Sequence, residues 1–402
     1  LDLHHLHLPK GRIEAMNVVF VSPNFPPTYF HFCTSLHRAG VNVLGIGDAH
    51  YDQLRPELRD VLTEYYRVES MADYGAMLRA CGYFTHKYGK IDRIESHTEF
   101  WLGIDAQLRE DFNVFGQRPR DLESNRRKTG MRRRFVQAGI PCAEGMPAED
   151  SEEIRRFAWR YGYPLIFKPD QGVGAGGAFK VSGDEELDAA LENLPEGYVV
   201  ERALQGDLLS FDGLTDRRGE IVFWTVHHFS GGIMETVNER RHLHYYSYRD
   251  LPEGIVELGR RAVAAFEVRE RFFHVEFFRE DSAKYFALEI NVRPPGGFTL
   301  DMMNYACDID LFQWWADLVA HNRTDFRFER KHHAAHASRR SGISYRLDHH
   351  KLLAELGPLV VAHMEIPQAL SDAMGDYAYL LRSPDLEQIQ AAVSTVEETA
   401  EG

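Results

Sequence analysis

The stretch Phe286 to Gly297, FALEINVRPPGG, constrains this chain more than any other. Read as a strand, its residues alternate, so Leu288, Ile290 and Val292 point one way and Glu289, Asn291 and Arg293 the other. An acid, an amide and a guanidinium on one wall must each find a partner or a hydrated cavity. A metal–phosphate site satisfies all three, because Glu and Asn offer hard oxygen ligands for Mg²⁺ and Arg forks onto a phosphoryl oxygen. Pro294, Pro295, Gly296 and Gly297 end the strand and let backbone approach a ligand closely. In Phe272 to Phe278, Phe273, Val275 and Phe277 fall on one face and His274, Glu276 and Phe278 on the other. The short polar link Arg279 to Lys284 suits a hairpin. Glu276, Glu289 and Asn291 are therefore the candidate metal ligands.

The 402 residues are 44% hydrophobic and 27% charged, ordinary for a soluble protein and too many for one simple core. A net charge of -15 disfavours a nucleic-acid partner and points to a small-molecule substrate. Cys33, Cys81, Cys142 and Cys307 lack metal-ligand spacing and read as packing residues in a reducing cytosol, so a cytoplasmic location is expected. No apolar run approaches a membrane span, and no membrane partner is expected. The opening LDLHHLHLPKGRIEA lacks the features of a signal peptide. Residues 1–15 read as a tag or upstream segment, His4, His5 and His7 included, with Met16 as the natural beginning.

From Asn17 the order is strand (NVVFVS), Pro-rich bend, helix through Phe32 and Leu36, and strand (VNVLGIG). A helix near Gln53 to Leu62, a strand at Tyr65 to Val68, a helix at Tyr74 to Tyr88 and a strand at Ile91 to Glu95 follow. This is a small doubly wound sheet. Its first turn, SPNFPPT, has none of the glycines of a dinucleotide site. Glu99 lies where open α/β sheets bind ligands; as an acid opening a helix it reads first as a cap, with substrate binding as the other candidate role.

Asp121 to Ala138 reads as one basic helix carrying Lys128, stopped by Gly139 and Pro141. After a helix at Ser151 to Tyr161, an apolar strand delivers Lys168 into the loop Gly172 to Gly177, with four glycines in six residues. Such a backbone can wrap a polyphosphate and donate its amides. No Gly-Lys-Ser/Thr closes the loop, so it is not a P-loop, and a glycine-rich hairpin turn is the alternative. Gly197 to Asp207 reads as a strand ending at Glu201 and a connector along which a base can lie. Ser210 to Thr215 and Glu220 to His228 form a hairpin around Asp216 to Gly219. His227 and His228 take opposite faces and read as hydrogen-bonded strand histidines. Arg240, Arg241, His242 and His244 form a polar loop, either anion-binding or solvated. Leu300 to Ala320 reads as a helix burying Phe312, Trp314 and Trp315. Beyond about Asp325 a separate piece is expected, with strands near Ile343 to Leu347, Leu359 to Met364 and Tyr377 to Arg382, then an acidic helix from Asp385. His332 to His336 (HHAAH) reads as a solvated linker, since no third metal ligand is evident.

Taken in order, Lys128, Lys168, the glycine loop, Glu201, Asp207, Glu276, Glu289 and Asn291 resemble the ATP-grasp superfamily, from about Glu123 to Val319. The segment His274 to Gly297 is similar to carboxylate–amine ligases of the amino-acid-ligase and carbamoyl-phosphate-synthase type. The resemblance implies an α/β and α+β fold. An N-terminal doubly wound parallel sheet (16–122) precedes a small lobe with a glycine-rich lid (123–200) and a large lobe with the metal site (201–325), followed by a C-terminal α+β piece (326–402). It implies ATP phosphates on Lys128 and Lys168 beneath a lid of Gly172, Gly174, Gly176 and Gly177. Glu201 and the backbone of Arg202 to Leu204 would meet adenine, and Asp207 the ribose, where the family more often has Glu. Glu276, Glu289 and Asn291 would carry Mg²⁺, with Mn²⁺ as an alternative. Arg293 and Lys168 would act on the transferred phosphoryl group, and Arg293, His274, His228 and Glu99 would lie near substrate.

The implied enzyme is an ADP-forming ligase of C–N bonds. ATP turns a carboxylate into an acyl phosphate, and an amine then displaces phosphate. The small-molecule acid and amine are its expected partners, and a homodimer is left open. A kinase on the same fold and a non-catalytic nucleotide-binding protein are the alternatives.

Overall fold

The computed structural model describes residues 15–172, 177–231, 242–281 and 284–400. The chain divides into two compact units, residues 1–96 with 104–116, and residues 97–103 with 117–402.

The first unit runs β1 (Asn17–Val21), α1 (Phe30–Arg38), β2 (Asn42–Gly47), α2 (Pro56–Arg59), β3 (Glu64–Arg67), α3 (Tyr74–Tyr88) and β4 (Arg93–Glu95). Its strands form a parallel sheet in the order β3-β2-β1-β4. Val18, Val19, Phe20 and Val21 are fully buried, as a central parallel strand covered on both faces must be. The helix expected over 53–62 is a single turn, α2, after a 3-10 turn at Tyr51–Gln53. Only Leu54 and Leu58 of that stretch become buried, too little apolar surface to hold a longer helix.

After α4 (Leu102–Asp111), the second unit resumes with α5 (Pro119–Arg126) and α6 (Lys128–Gln137). These replace the single helix expected over 121–138, because Arg127 is extended (φ -94, ψ 127) and splits the run. A small antiparallel sheet follows, built from β5 (Gly145–Pro147), β6 (Leu165–Pro169), β7 (Phe179–Val181) and β8 (Tyr198–Arg202) in the order β5-β8-β6-β7. Between its strands, α7 (Ser151–Tyr161) and α8 (Asp184–Glu192) bury Ile154, Phe157 and Leu187 against Leu165, Phe167 and Val200 of the sheet. With that face covered, the period of two sends Lys168 and Glu201 to the other.

The large sheet has eight strands in the order β13-β12-β9-β10-β11-β14-β16-β15. They are β9 (Asp207–Thr215), β10 (Ile221–Phe229), β11 (Tyr245–Ser247), β12 (Phe272–Asp281), β13 (Lys284–Asn291), β14 (His333–Arg339), β15 (Val360–Glu365) and β16 (Tyr377–Ser383). One face buries Phe211, Val226, Phe273, Val275 and Phe277 against α6 and α9 (Ile255–Ala265). A bulge at Leu288 interrupts the expected alternation in β13, so Tyr285 and Ala287 join this core before it and Ile290 and Val292 after it.

The helix expected over 300–320 is two, α10 (Thr299–Cys307) and α11 (Leu311–His321). They are parted at Asp308 (φ 52), and α11 is capped by the Asp310 carboxylate. Among the described residues the chain continues with α12 (His349–Leu356), α13 (Gln368–Met374) and α14 (Leu386–Glu397). The HHAAH run is not a solvated linker: His333 and His336 are buried in β14, an internal strand. Its alternation is small and polar rather than apolar, which hides a strand from sequence. Through β14 the C-terminal strands extend the sheet that carries Glu276, across the expected boundary at residue 325. Residues 343–347 form no strand, and only an isolated bridge joins Tyr345 to Thr399.

Candidate active site

Lys168 on β6 and Glu201 on β8 share the open face of the small sheet and form an ion pair of 2.6 Å, their side chains 11% and 14% exposed. Lys128 is the first residue of α6. It lines a cleft of ≈ 420 Å³ together with Thr129, Arg132, Met146, Val199 and Glu201. Arg132 is already committed, donating to the carbonyls of Ala143 and Gly145. Lys128 and Arg133 are the other cations lining this cleft, and Lys168 is tied to it through Glu201. Gly177 needs its lack of a side chain, because its φ is +78 and a Cβ would stand 2.8 Å from the Tyr198 hydroxyl. Gly172 is extended with φ +158, while Gly174 and Gly176 lie outside the described residues.

The connector after β8 is partly spoken for. The Arg202 and Ala203 amides donate to the carbonyls of Glu144 (2.9 Å) and Pro164 (3.1 Å), and Leu204 is half-buried. The Arg202 guanidinium pairs with Glu144 (2.8 Å) and Glu280 (3.4 Å). It thereby ties the end of the small sheet to the β12–β13 hairpin.

On the large sheet, Glu276 is opposite Glu289 and His274 opposite Asn291. Paired residues of neighbouring strands point the same way, so these four share a face, as the alternation predicts. The Asn291 amide donates to Glu289 at 2.9 Å, which leaves its carbonyl oxygen available.

Behind this wall lies a network that the motif reading does not contain. Asp212, fully buried, accepts from Ser210, from His227 at 2.6 Å and from His274 at 2.5 Å. The other nitrogen of His274 meets Glu276 at 3.0 Å. Burial pulls the His274 pKa down, but Asp212 and Glu276 outweigh it and raise it to about 10, so at neutral pH the ring donates from both nitrogens. Burial likewise pushes the Asp212 carboxyl up, and the two imidazoles hold it well below the usual carboxylate range. His274 is therefore clamped between two carboxylates.

Two expected site residues do not join this wall. Register places Asp207 beside Arg279 and His228 beside Leu209, on the side of Phe277 and Val226 rather than of Glu276. Asp207 pairs with Arg279 at 2.5 Å, and that hydrogen bond lowers its pKa. His228 stacks on Tyr246 with ring centroids 5.0 Å apart, and burial lowers its pKa. His227, the neighbour, is the histidine on the side of Glu276. His242 and His244 are half-buried and paired with Tyr345 and Glu397, and Arg240 and Arg241 lie outside the described residues.

Arg293 donates through Nε (3.2 Å) and Nη2 (2.9 Å) to one oxygen of Glu99, and through Nη1 to the Pro294 carbonyl. Glu99 and Arg293, 194 positions apart in sequence, therefore meet as one ion pair. Sequence carries one overlooked sign of the buried network: an acid in the apolar run LLSFDGL, at a spacing of two from Ser210, demands partners.

Residues 161–301 match the family model described as ATP-grasp domain. The chain is 24% identical to the L-arginine-specific L-amino acid ligase of Bacillus subtilis over 237 residues, 56% of this chain and 57% of that protein. It is 29% identical to the D-alanine–D-alanine ligase of Streptomyces griseus over 194 residues, 43% of this chain and 49% of that protein. The chain thus spans about half the length of these curated relatives. Among solved structures, the L-amino acid ligase from Bacillus licheniformis superposes with a TM-score of 0.74 at 16% identity, over 95% of this chain and 97% of that one. The N5-carboxyaminoimidazole synthetase from Staphylococcus aureus gives 0.69 at 15%, over 96% and 98%. Residues 161–301, which hold Lys168, Glu201, Glu276, Glu289 and Asn291, are thus the part of this chain that matches an ATP-grasp domain.

Proposed function

We propose that this protein is an ATP-dependent carboxylate–amine ligase. The observation that carries the reading is the pairing of Glu276 with Glu289 across β12 and β13, Asn291 sharing their face, inside the segment that matches the ATP-grasp domain. Two carboxylates and an amide oxygen form a hard donor set suited to Mg²⁺, with Mn²⁺ as a substitute. Among the described residues no three His, Cys, Asp or Glu converge as a self-sufficient metal site. That fits an ion which leaves positions to phosphate oxygens and water. When bound, the metal would supply charge neutralisation to the phosphates.

In this reading Lys128 and Lys168 hold the nucleotide phosphates, Glu201 faces the base, and Arg293, steadied by Glu99, turns its guanidinium to the transferred phosphoryl group. A substrate carboxylate oxygen attacks the γ-phosphorus and the bond to the β-phosphate oxygen breaks, releasing ADP. The amine nitrogen then attacks the acyl carbon, phosphate leaves with the bonding pair, and the nitrogen gives up a proton. The names of the amino acid ligase and the D-alanine–D-alanine ligase among the relatives favour amino acids as both partners. The four free cysteines suit a cytoplasmic setting.

The test is release of ADP and phosphate with Mg²⁺ and ATP across amino acids and small carboxylates, offered singly and in pairs. Release that requires both an acid and an amine supports the reading. Phosphorylation of a single substrate without condensation replaces it with a kinase.

A further inference from the structure

We propose that Asp170 is a positioning residue that fixes the two phosphate-facing lysines, Lys128 and Lys168, relative to each other. The proposal rests on the assignment of those lysines made above. Asp170 is buried, 8% exposed, and stands two residues beyond Lys168 at the end of β6. Its carboxylate accepts from the Thr129 amide at 2.9 Å and from the Thr129 hydroxyl at 3.0 and 3.1 Å, and Arg127 balances its charge at 3.3 Å. Its main-chain carbonyl accepts from the Lys128 amide at 2.9 Å, and its own amide donates to the Gly197 carbonyl at 2.8 Å. One residue thus stitches the strand that carries Lys168 to the helix that begins with Lys128.

The split between α5 and α6 gives this contact its consequence. Residues 121–138 have the pattern of one continuous helix, and Arg127, the residue before α6, makes no side-chain cap of its own. The cap comes instead from Asp170, 41 positions along the chain from Thr129. Capping carboxylates satisfy amides that a helix start otherwise leaves unpaired. Without this one, the Thr129 amide and hydroxyl lose their acceptor, and the start of α6 that carries Lys128 stays tied to the Lys168 strand only by the main-chain bond from Lys128 to Asp170, which loosens the relative placement of the two lysines. A cation pair set for a polyphosphate depends on such preorganisation, because displacement by about 1 Å can cost roughly 10²-fold.

The experiment is calorimetric titration of ADP and, separately, adenosine into the full chain, its Asp170→Ala, Asp170→Asn and Thr129→Val variants and Lys168→Ala, with thermal melts to establish folding. The expected result is roughly tenfold to a hundredfold weaker ADP binding for Asp170→Ala. Asp170→Asn and Thr129→Val show smaller losses, and adenosine binding is unchanged in all three. Parental ADP affinity in Asp170→Ala, or equal loss of ADP and adenosine, overturns the proposal while a phosphate-specific loss in Lys168→Ala leaves the ligase reading intact. If Asp170→Ala does not fold, Thr129→Val decides in the same way. Parental ADP affinity in Lys168→Ala overturns the lysine assignment and this proposal with it.

Discussion

His274 reaches Asp212 at 2.5 Å and Glu276 at 3.0 Å, so one imidazolium joins a fully buried carboxylate to a candidate metal ligand. Removing the buried acid strands His227 and His274 together. Breaking a buried pair from one side costs about 3–5 kcal/mol, and Asp212→Ala is predicted to lose that much, Asp212→Asn less. All five tryptophans, Trp101, Trp159, Trp224, Trp314 and Trp315, lie in the second unit. Urea unfolding followed by tryptophan fluorescence therefore reads the effect directly. A loss below about 1 kcal/mol contradicts the network's role.

Glu289 is held by the Asn291 amide at 2.9 Å. Glu289→Gln keeps the shape and removes the charge that attracts a divalent ion. ATP turnover is predicted to fall by at least roughly 10²-fold and to need more Mg²⁺ for half-saturation. Turnover measured across a Mg²⁺ series checks this, and an unchanged half-saturation point sinks the ligand assignment.

The Lys168–Glu201 pair is largely shielded from solvent. Lys168→Ala should retain the melting temperature within a few degrees and weaken ATP binding by roughly 10- to 100-fold. Equilibrium binding of a fluorescent ATP analogue, alongside a melt, separates that outcome from simple unfolding.

Arg293→Lys cannot reproduce the forked contact with Glu99. Its kcat is predicted to drop by roughly 10- to 100-fold with little change in the KM for ATP, and Glu99→Gln should move kcat the same way by less. If Glu99→Gln raises only the KM for the acid or the amine, Glu99 touches substrate rather than steadying Arg293.

His336 is stacked between Tyr245 and Phe298, at centroid separations of 4.9 and 6.2 Å, and burial lowers its pKa to about 4. Below the unfolded value of 6.5, the unfolded chain takes up a proton that the native ring refuses. The stabilisation from its neutral form is therefore complete above pH 6.5 and is lost as the pH falls to about 4. At 1.36 kcal/mol per unit the loss is at most on the order of 3 kcal/mol. In His336→Phe the fall in stability from pH 7 to pH 4 should shrink accordingly, as measured by urea midpoints at the two pH values. An identical fall in both proteins counts against it.

The parts of this protein legible in its sequence are those written in local periodicity. The parallel strands Asn17–Val21 and Asn42–Gly47, the helix Tyr74–Tyr88 and the shared face of Glu276, Glu289 and Asn291 follow from alternation within a few residues. What sequence hides is set by distant partners. The break at Arg127 depends on Asp170, the Arg293 fork depends on Glu99, and the small, polar β14 is a strand only because Tyr246 and Leu381 flank Ala335 in the sheet. Asp207, expected at the ribose from motif order, and His228, expected near substrate, lie by strand register on the face opposite Glu276. Register over a whole sheet is a tertiary property that no single segment encodes.

The most direct test of an acyl phosphate route is isotope transfer. With the acid carrying ¹⁸O in its carboxylate, and whichever amine supports ADP release, the account predicts one ¹⁸O atom in the inorganic phosphate for each amide formed. Unlabelled phosphate accompanying amide formation, or label recovered in AMP, contradicts it.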